Sequence, residues 1–424
     1  MTSALSPDAS TTSSSKCSDH AEVTLTTDLH APIRPVRDRR TFLSYAQMGM
    51  FGWFLYTLGP SMAFLRDETG MSRTISSLYP VVASVGGIIA GLLVASIVRR
   101  FGRGWLLRGG SISLAIGITL FISGGPFAVT IAGPFFSAVA GAGCVVGVSA
   151  FLSSQQRAAG DAAITEANTV AAGFGILGPL ALGAAATWLG GWRFSLLLLV
   201  ISLIVLEIVR GRDLSAYRID DVVRDDADGH RPPLPTLTWW AMLTLMFTSA
   251  IEMAYIFWAT DLLATRSSLE TAAAAAGLSA LLLGLFIGRA GGSWLVERLD
   301  AERTLLFALI VLAAGFVLTW VWPIPWVILI GLFVVGAGIS VQFPLGMARV
   351  MRASSGQSDK AAGIASSGVG VAGALVPFGL AVLADSIGVH LAFLAVPVLI
   401  AISILLLRAK PVAASAFSDS PAPR

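Results

Sequence analysis

Twelve long apolar runs leave this chain few folds to choose from. A membrane-spanning helix needs roughly 20 mostly apolar residues. Runs of that kind lie at 41–64, 74–98, 105–123, 126–153, 162–188, 191–211, 236–261, 271–297, 303–322, 325–350, 360–385 and 388–408. Inside a bilayer the backbone must satisfy its own hydrogen bonds, so only helices and closed barrels can cross. Barrel strands need only about ten residues, and these runs are far longer. The breaks between them carry charge or turn residues, as in RDETGMSR (66–73), RRFGRG (99–104) and WPIPW (322–326). The expectation is an all-α membrane protein with 12 transmembrane helices.

Composition agrees with this reading. Charged residues make up 12% of the 424, against about 25% in soluble domains. The net charge of +3 is too small to suggest nucleic acid as a partner, and membrane lipids are the expected surroundings. Cys17 lies in a polar stretch and Cys144 inside an apolar run, so no disulfide framework is expected. The Ser/Thr/Asp-rich start has no apolar core of a signal peptide, and residues 1–40 read as a disordered tail.

Lys and Arg orient the helices. With an even helix count the outer loops hold Arg66, Arg73, Arg193 and Arg266, and nearly all other basic residues fall on the opposite side. Both termini are therefore expected in the cytoplasm, in the inner membrane of a bacterium. The one long connection, 212–235, is charged and ends in prolines. It divides a six-helix bundle at 41–211 from a second at 236–410, with 411–424 as a cytoplasmic tail. Its cluster of Asp220, Asp221, Asp225, Asp226 and Asp228 is irregularly spaced and interleaved with arginines, which suits a solvated linker better than a metal site. The two halves echo each other: VRRFGR (98–103) follows the second helix, and VERLDAER (296–303) follows the eighth. Two bundles related by a pseudo-two-fold axis are a transporter architecture, with the site between the halves near the midplane.

The seventh run, WWAMLTLMFTSAIEMAYIFWATD (239–261), carries Glu252 in its interior. Charged groups at such depth are costly and usually mark substrate or proton paths. A carboxyl there can load a proton on one side of the membrane and release it on the other. It can also be a permanently protonated acid bonded to a neighbouring helix, a partner of a distant cation, or the counter-ion of a cationic substrate. Arg289 is the other embedded charge; it can snorkel, pair with Glu297 or Glu207, or anchor an anionic substrate.

The chain resembles the major facilitator superfamily over about residues 41–410. That family's loop motif appears as ASIVRRFGRG (95–104), where Gly102 and Arg103 match while Ala95 and Arg99 replace a Gly and an Asp. A second copy, SWLVERLDAER (293–303), keeps Glu297 and Arg298. The resemblance assigns the gating role to these loops, hence to Arg99, Arg100, Arg103, Glu297 and Arg298, with Arg289 beside them. GFGILGPLALG (173–183) is similar to the superfamily's Gly-Pro helix; the drug-antiporter form also has an Arg in helix 4, absent here. SAIEMAYIFWATDLL and VGAGISVQFPLGMARVM (335–351) are similar to the branch of fucose and glucose proton symporters, whose acids in helices 1 and 4 are missing.

The resemblance also implies that helices 1, 4, 7 and 10 line the cavity. At about 1.5 Å per residue, Trp53, Cys144, Glu252 and Gln342 lie at similar depth near their centres. Glu252, Tyr255, Ile256 and Ala259 share one helical stripe, as do Gly49, Gly52, Trp53 and Tyr56. The candidate substrate-binding set is therefore Trp53, Tyr56, Cys144, Glu252, Tyr255 and Gln342. Glu252 is the candidate for proton coupling; packing against lipid or core is the competing reading for the aromatics. Pro179, Pro344 and Pro377 are hinge candidates. No Walker loop, HExxH or GxSxG arrangement is present, and no Cys/His cluster has metal spacing. The expectation is a monomeric secondary transporter, not an enzyme, without cofactor or metal. It would move a small-molecule substrate by alternating access, coupled to protons in uptake. A proton-driven efflux antiporter and a non-transporting sensor or scaffold are the alternatives.

Overall fold

Every spanning run forms a helix in the computed structural model. The structure describes residues 35–156, 159–212, 214, 217 and 233–411, with the side chains of residues 95, 292–297 and 358–359 outside that description. We number the spanning helices α1 (Arg39–Thr69), α2 (Leu78–Phe101), α3 (Arg103–Ile122), α4 (Phe127–Gln156), α5 (Gly160–Trp188), α6 (Arg193–Arg210), α7 (Thr236–Ser267), α8 (Thr271–Arg298), α9 (Ala301–Val321), α10 (Pro325–Arg352), α11 (Ser358–Ile387) and α12 (Val389–Ala409). Ten of these are long and apolar enough to cross a membrane by composition alone. The other two, α1 and α6, cross as members of their bundle: α1 is rich in Gly, Ser and Thr, and α6 carries Arg193, Glu207 and Arg210 within its 18 residues. Expected and observed ends differ most where polar residues continue a helix past the hydrocarbon, as at the outer ends of α1 and α7. The acidic linker cluster and both chain ends lie outside the described residues.

Helix starts and stops follow local chemistry. Asp38 caps α1 by accepting from the Thr41 N–H at 2.8 Å, and Asp300 caps α9 by accepting from Arg303. The α2–α3 turn pivots on Gly102 at φ 83°, a conformation that glycine adopts at little cost.

Within each bundle the helices approach through small residues, the usual device where lipid offers no hydrophobic drive for association. A Cβ on Gly86 of α2 would lie 2.6 Å from the Phe135 carbonyl of α4, and one on Gly284 of α8 would lie 1.9 Å from the Phe333 carbonyl of α10. Gly117 and Gly133 bring α3 onto α4 as Gly315 and Gly331 bring α9 onto α10. Each member of one set stands 198 residues before its counterpart in the other: Gly86 and Gly284, Gly117 and Gly315, Gly133 and Gly331, Phe135 and Phe333. The loop echo of Val98 and Val296 keeps the same separation. The two six-helix bundles are thus copies of one packing scheme.

The inner ends of the bundles are fastened by buried arginines. Arg210 of α6 reaches Gln47 of α1 and Glu207, and Glu207 also accepts from Arg108 of α3 at 3.1 Å. In the second bundle Arg349 of α10, fully buried, donates to Glu302 of α9 at 2.7 Å, Thr244 of α7 at 2.9 Å and the Lys410 carbonyl at 2.7 Å. Buried charges persist only when paired and hydrogen-bonded. Glu207 is engaged by Arg108 and Arg210, which separates it from the partnership with Arg289 that the sequence left open.

Candidate functional site

The two bundles touch along their outer halves. Gly59 of α1 lets the α7 backbone approach, since a Cβ there would meet the Ile256 carbonyl at 2.3 Å. Gly183 of α5 does the same for Ala272 of α8, and Ser279 of α8 donates to the Ile176 carbonyl of α5 at 2.8 Å. Gly370 and Gly373 of α11 face Ile88 and Ser84 of α2. Further in, the same helices stand apart. Thr165, Asn168 and Thr169 on α5, Arg289, Ala290 and Gly291 on α8, and Gly363, Ser366 and Ser367 on α11 are exposed. A crevice between the bundles therefore opens at the arginine-rich side, which the positive-inside rule assigns to the cytoplasm, and in that orientation the structure is inward-open.

Glu252 sits where the crevice begins. It lies one turn inward of Ile256 on the same face of α7, and Tyr56 lies one turn inward of Gly59 on α1. The α1–α7 crossing at Gly59 and Ile256 therefore sets Glu252 and Tyr56 opposite each other just as the helices diverge. Arg289 approaches from α8. Leu278, Leu282 and Leu285 share its stripe and are buried to 2% exposure or less; one turn further in, Arg289 emerges into the crevice. Its charge acts on both Glu252 and Tyr56. Trp53 completes the wall, edge-on to Phe174 of α5 at 6.2 Å, with its indole Nε1 buried and unpartnered. The Gly stripe beside it serves α5: a Cβ on Gly52 would meet the Ala171 carbonyl at 2.5 Å.

The remaining sequence candidates face other surroundings. Tyr255 is fully buried and packs edge-on against Phe393 of α12 at 5.5 Å. The stripe predicted on α7 is therefore divided, with Glu252 and Ile256 toward α1 and Tyr255 toward α12. Cys144 is fully buried in a π-helical segment of α4, Ala142–Gly147, with its sulfur 3.6 Å from Gln47 Nε2. Gln342 begins the second segment of α10, which breaks at Ser340–Val341 just before Pro344. Its Nε2 donates to the Gly338 carbonyl at 3.0 Å, while Oε1 is buried without a partner. Among the gating candidates, Arg99 donates to Ser96 at 3.4 Å, Arg100 lies over Phe101, and Arg103 donates to Ser154 at 3.2 Å, all within the first bundle. Arg298 is exposed, and the side chain of Glu297 lies outside the described residues. No group of three or more metal-binding side chains occurs among the described residues.

The sequence reading missed a cluster at the outer end. Asp261 on α7 is bonded by Arg66 of α1 and lies 3.7 Å from Arg73. Arg66 also donates to Ser76 at 3.1 Å and lies 5.2 Å over the ring of Trp258. Asp385 of α11 accepts from the backbone N–H groups of Arg73 at 3.2 Å and Thr74 at 2.8 Å, and from the Thr74 hydroxyl at 2.7 Å. Thr271 of α8 donates to Asp67 of α1 at 2.6 Å. Apart from Arg66–Ser76, these bonds cross from one bundle to the other. The available signal was opposite charge at the outer ends of α1 and α7.

Comparison with known proteins places this geometry. The family model of the Major Facilitator Superfamily matches residues 237–423. A search of curated protein sequences finds no match. Among solved structures, a bacterial homologue of the human lysosomal transporter Spinster, in an inward-facing and unoccupied conformation, aligns with TM-score 0.68 and 14% identity over 90% of this chain and 98% of its own. A D-xylose-proton symporter aligns with TM-score 0.69 and 11% identity over 90% and 99%. The nucleoside transporter NupG aligns with TM-score 0.70 and 11% identity over 88% and 98%. The second half of the chain thus matches the family model of the Major Facilitator Superfamily, and the fold of two six-helix bundles is similar to that of solved transporters over 90% of the chain.

Proposed function

We propose that this multi-pass membrane protein is a proton-coupled uptake transporter for a small organic acid, working by alternating access in the bacterial inner membrane with both termini in the cytoplasm. The observation that carries the reading is the meeting of Glu252, Tyr56 and Arg289 at the apex of the crevice. A substrate carboxylate seated on Arg289 cancels that cation. Glu252 then faces apolar walls without a compensating charge, where an ionised carboxyl is costly. It takes up a proton together with the anion, and both leave when the crevice opens inward. Coupling of this kind is reciprocal: whatever factor the anion adds to proton binding, the proton adds to anion binding. Tyr56 and Trp53 offer a hydroxyl and an unpartnered indole N–H to the rest of the substrate.

The test is transport by purified protein in liposomes under an imposed pH gradient, screening labelled organic acids, sugars and cationic drugs. Accumulation of an acid in the wild type, lost in Glu252→Gln with exchange across equal pH retained, is the expected result. Accumulation that survives Glu252→Gln overturns the coupling role, and flux of cations alone overturns the substrate class. Outward-directed flux of an amphiphile is the second reading, supported by the Gly-Pro helix α5, whose Gly175 and Gly178 lie against Tyr56 and Trp53.

A further inference from the structure

A lipid-facing groove between α3 and α6 lies outside the crevice and takes no part in the transport cycle described above. Its volume is about 530 Å³. The walls are Ile112 and Ala115 of α3 and Leu203, Ile204 and Ile208 of α6. Ile208 is 72% exposed, so this side faces hydrocarbon. At the inner end the lining turns polar, with Arg108, Ser111, Glu207 and Arg212. Ser111 is 1% exposed, and its buried hydroxyl has no partner.

Among the described residues, charge at that end is mostly positive. Arg39 reaches the Val209 carbonyl, Arg108 and Arg210 share Glu207, and Arg212 is exposed. Among the described residues, two guanidinium groups bind the Glu207 carboxylate and two more, of Arg39 and Arg212, lie at the same end of α6. Arg108 spends its Nε on Glu207 and one Nη on the Gly211 carbonyl, and a guanidinium has five N–H donors. Trp105, 54% exposed, lies beneath Arg108 at 5.8 Å, as interfacial tryptophans do at headgroup depth. Basic pockets between spanning helices on the cytoplasmic side bind anionic headgroups.

We infer that the α3–α6 groove is a binding site for one anionic phospholipid of the inner leaflet, its phosphate held by Arg108, Arg212 and Ser111 and an acyl chain laid along Ile112, Ile204 and Ile208. A headgroup bound there bridges α3 to the α6–linker junction and fastens the inner end of the first bundle from outside.

The experiment uses the purified full-length protein in detergent, with phosphatidylglycerol or phosphatidylcholine titrated in. Native mass spectrometry counts retained lipid, and thermal unfolding measures stabilisation. The expected result is one phosphatidylglycerol retained at collision energies that strip phosphatidylcholine, with a higher melting temperature for the anionic lipid. Arg212→Gln, at the surface, weakens that preference. Ile204→Trp, which fills the groove from its lipid side, abolishes it while leaving the unfolding temperature without lipid unchanged. Equal retention of both lipids overturns the proposal, as does an undiminished preference in both variants. Inorganic phosphate stabilising as well as phosphatidylglycerol also overturns it, by showing that an ion alone fills the site.

Discussion

A single carboxyl, Glu252, was singled out as a charge deep inside an apolar run, and depth is what a sequence reports well. Counting residues along an apolar run gives a level in the membrane, because the rise per residue is fixed. It does not give the direction in which a side chain points. Of the four residues chosen by depth, Trp53 and Glu252 lie at the crevice while Cys144 and Gln342 face packed interior; of the two added by helical stripe, Tyr56 lies at the crevice and Tyr255 is buried against α12. Arg289 is the opposite case: its emergence into the crevice depends on where the bundles part, which no single helix encodes. Substituting Arg289→Ala removes charge-assisted hydrogen bonds worth about 1.5–3 kcal/mol. Affinity for an acidic substrate is expected to fall roughly ten- to hundredfold, at about 1.4 kcal/mol per tenfold, as read by equilibrium binding. Unchanged binding of every acid transported by the wild type sinks the anchor role. Asp38 gives a second residue-scale test, away from the membrane interior. Burial opposes its ionised form, but hydrogen bonds from Thr41 and Gln155 and the charge of Arg40 outweigh it and hold the carboxyl below its ordinary value. A carboxyl depressed in the folded state stabilises it above the unfolded pKa, and that stability is lost as pH falls through the folded value. Asp38→Ala should therefore cost about 1 kcal/mol at neutral pH, as a lost helix cap does. The gap in melting temperature from wild type should close as the pH is lowered below about 4.

At the scale of helices, two close approaches of similar tightness carry different consequences. A Cβ on Gly284 collides with the Phe333 carbonyl inside the second bundle, and one on Gly59 collides with the Ile256 carbonyl across the bundle interface. Overpacking of this kind costs about 1–3 kcal/mol. Gly284→Val places that cost on the folded bundle in every conformation, so its melting temperature and yield should fall. Gly59→Val places it on the inward-open state alone, because α1 and α7 separate when the outer side opens. Its melting temperature should stay near wild type. Labelling of Ser84→Cys, at the α2–α11 contact, by a membrane-impermeant maleimide applied from outside should rise. Equal loss of stability in both variants would falsify the claim that α1 and α7 move as parts of separate bodies. These contacts explain what was legible and what was not. Twelve helices and their order follow from apolar length and turn chemistry. The partners of each glycine follow only from the packing, although the repeat of Gly86, Gly117, Gly133 and Phe135 as Gly284, Gly315, Gly331 and Phe333 was open to reading in the sequence. The loop echo at Val98 and Val296 is the outermost trace of that repeat. The break in α10 at Ser340–Val341 follows from Pro344, whereas the π-helical turn around Cys144 has no comparable mark.

For the whole molecule, alternating access requires that some bonds exist in one state only, and the outer cluster fits that requirement. Arg66 and Asp261 have side chains 9% and 7% exposed and belong to different bundles. Opening the outer side must pull them apart into water, where each charge is solvated again. Their pairing therefore favours the inward-open state without being needed for either bundle to fold. Removing one partner leaves the other charge buried alone, a loss that costs about 3–5 kcal/mol. Asp261→Asn should consequently shift the balance toward the outward-open state by a hundredfold or more, at about 1.4 kcal/mol per tenfold. Spin labels at the outer ends of α1 and α7 should report a longer distance in this variant, and labels at the inner ends of α5 and α8 a shorter one. The exchange Arg66→Asp with Asp261→Arg restores a pair of opposite sign, though Arg73 then faces a like charge, so recovery should be partial. Adding Arg73→Gln to the exchange removes that repulsion and should bring the distances closer to wild type. A variant Asp261→Asn that keeps wild-type distances on both sides would show that the glycine contacts, and not the charges, hold the outer side shut. The same measurement on Glu252→Gln separates latch from coupling: that substitution leaves the outer pairs intact, so it should alter proton dependence without moving the distances in the absence of substrate.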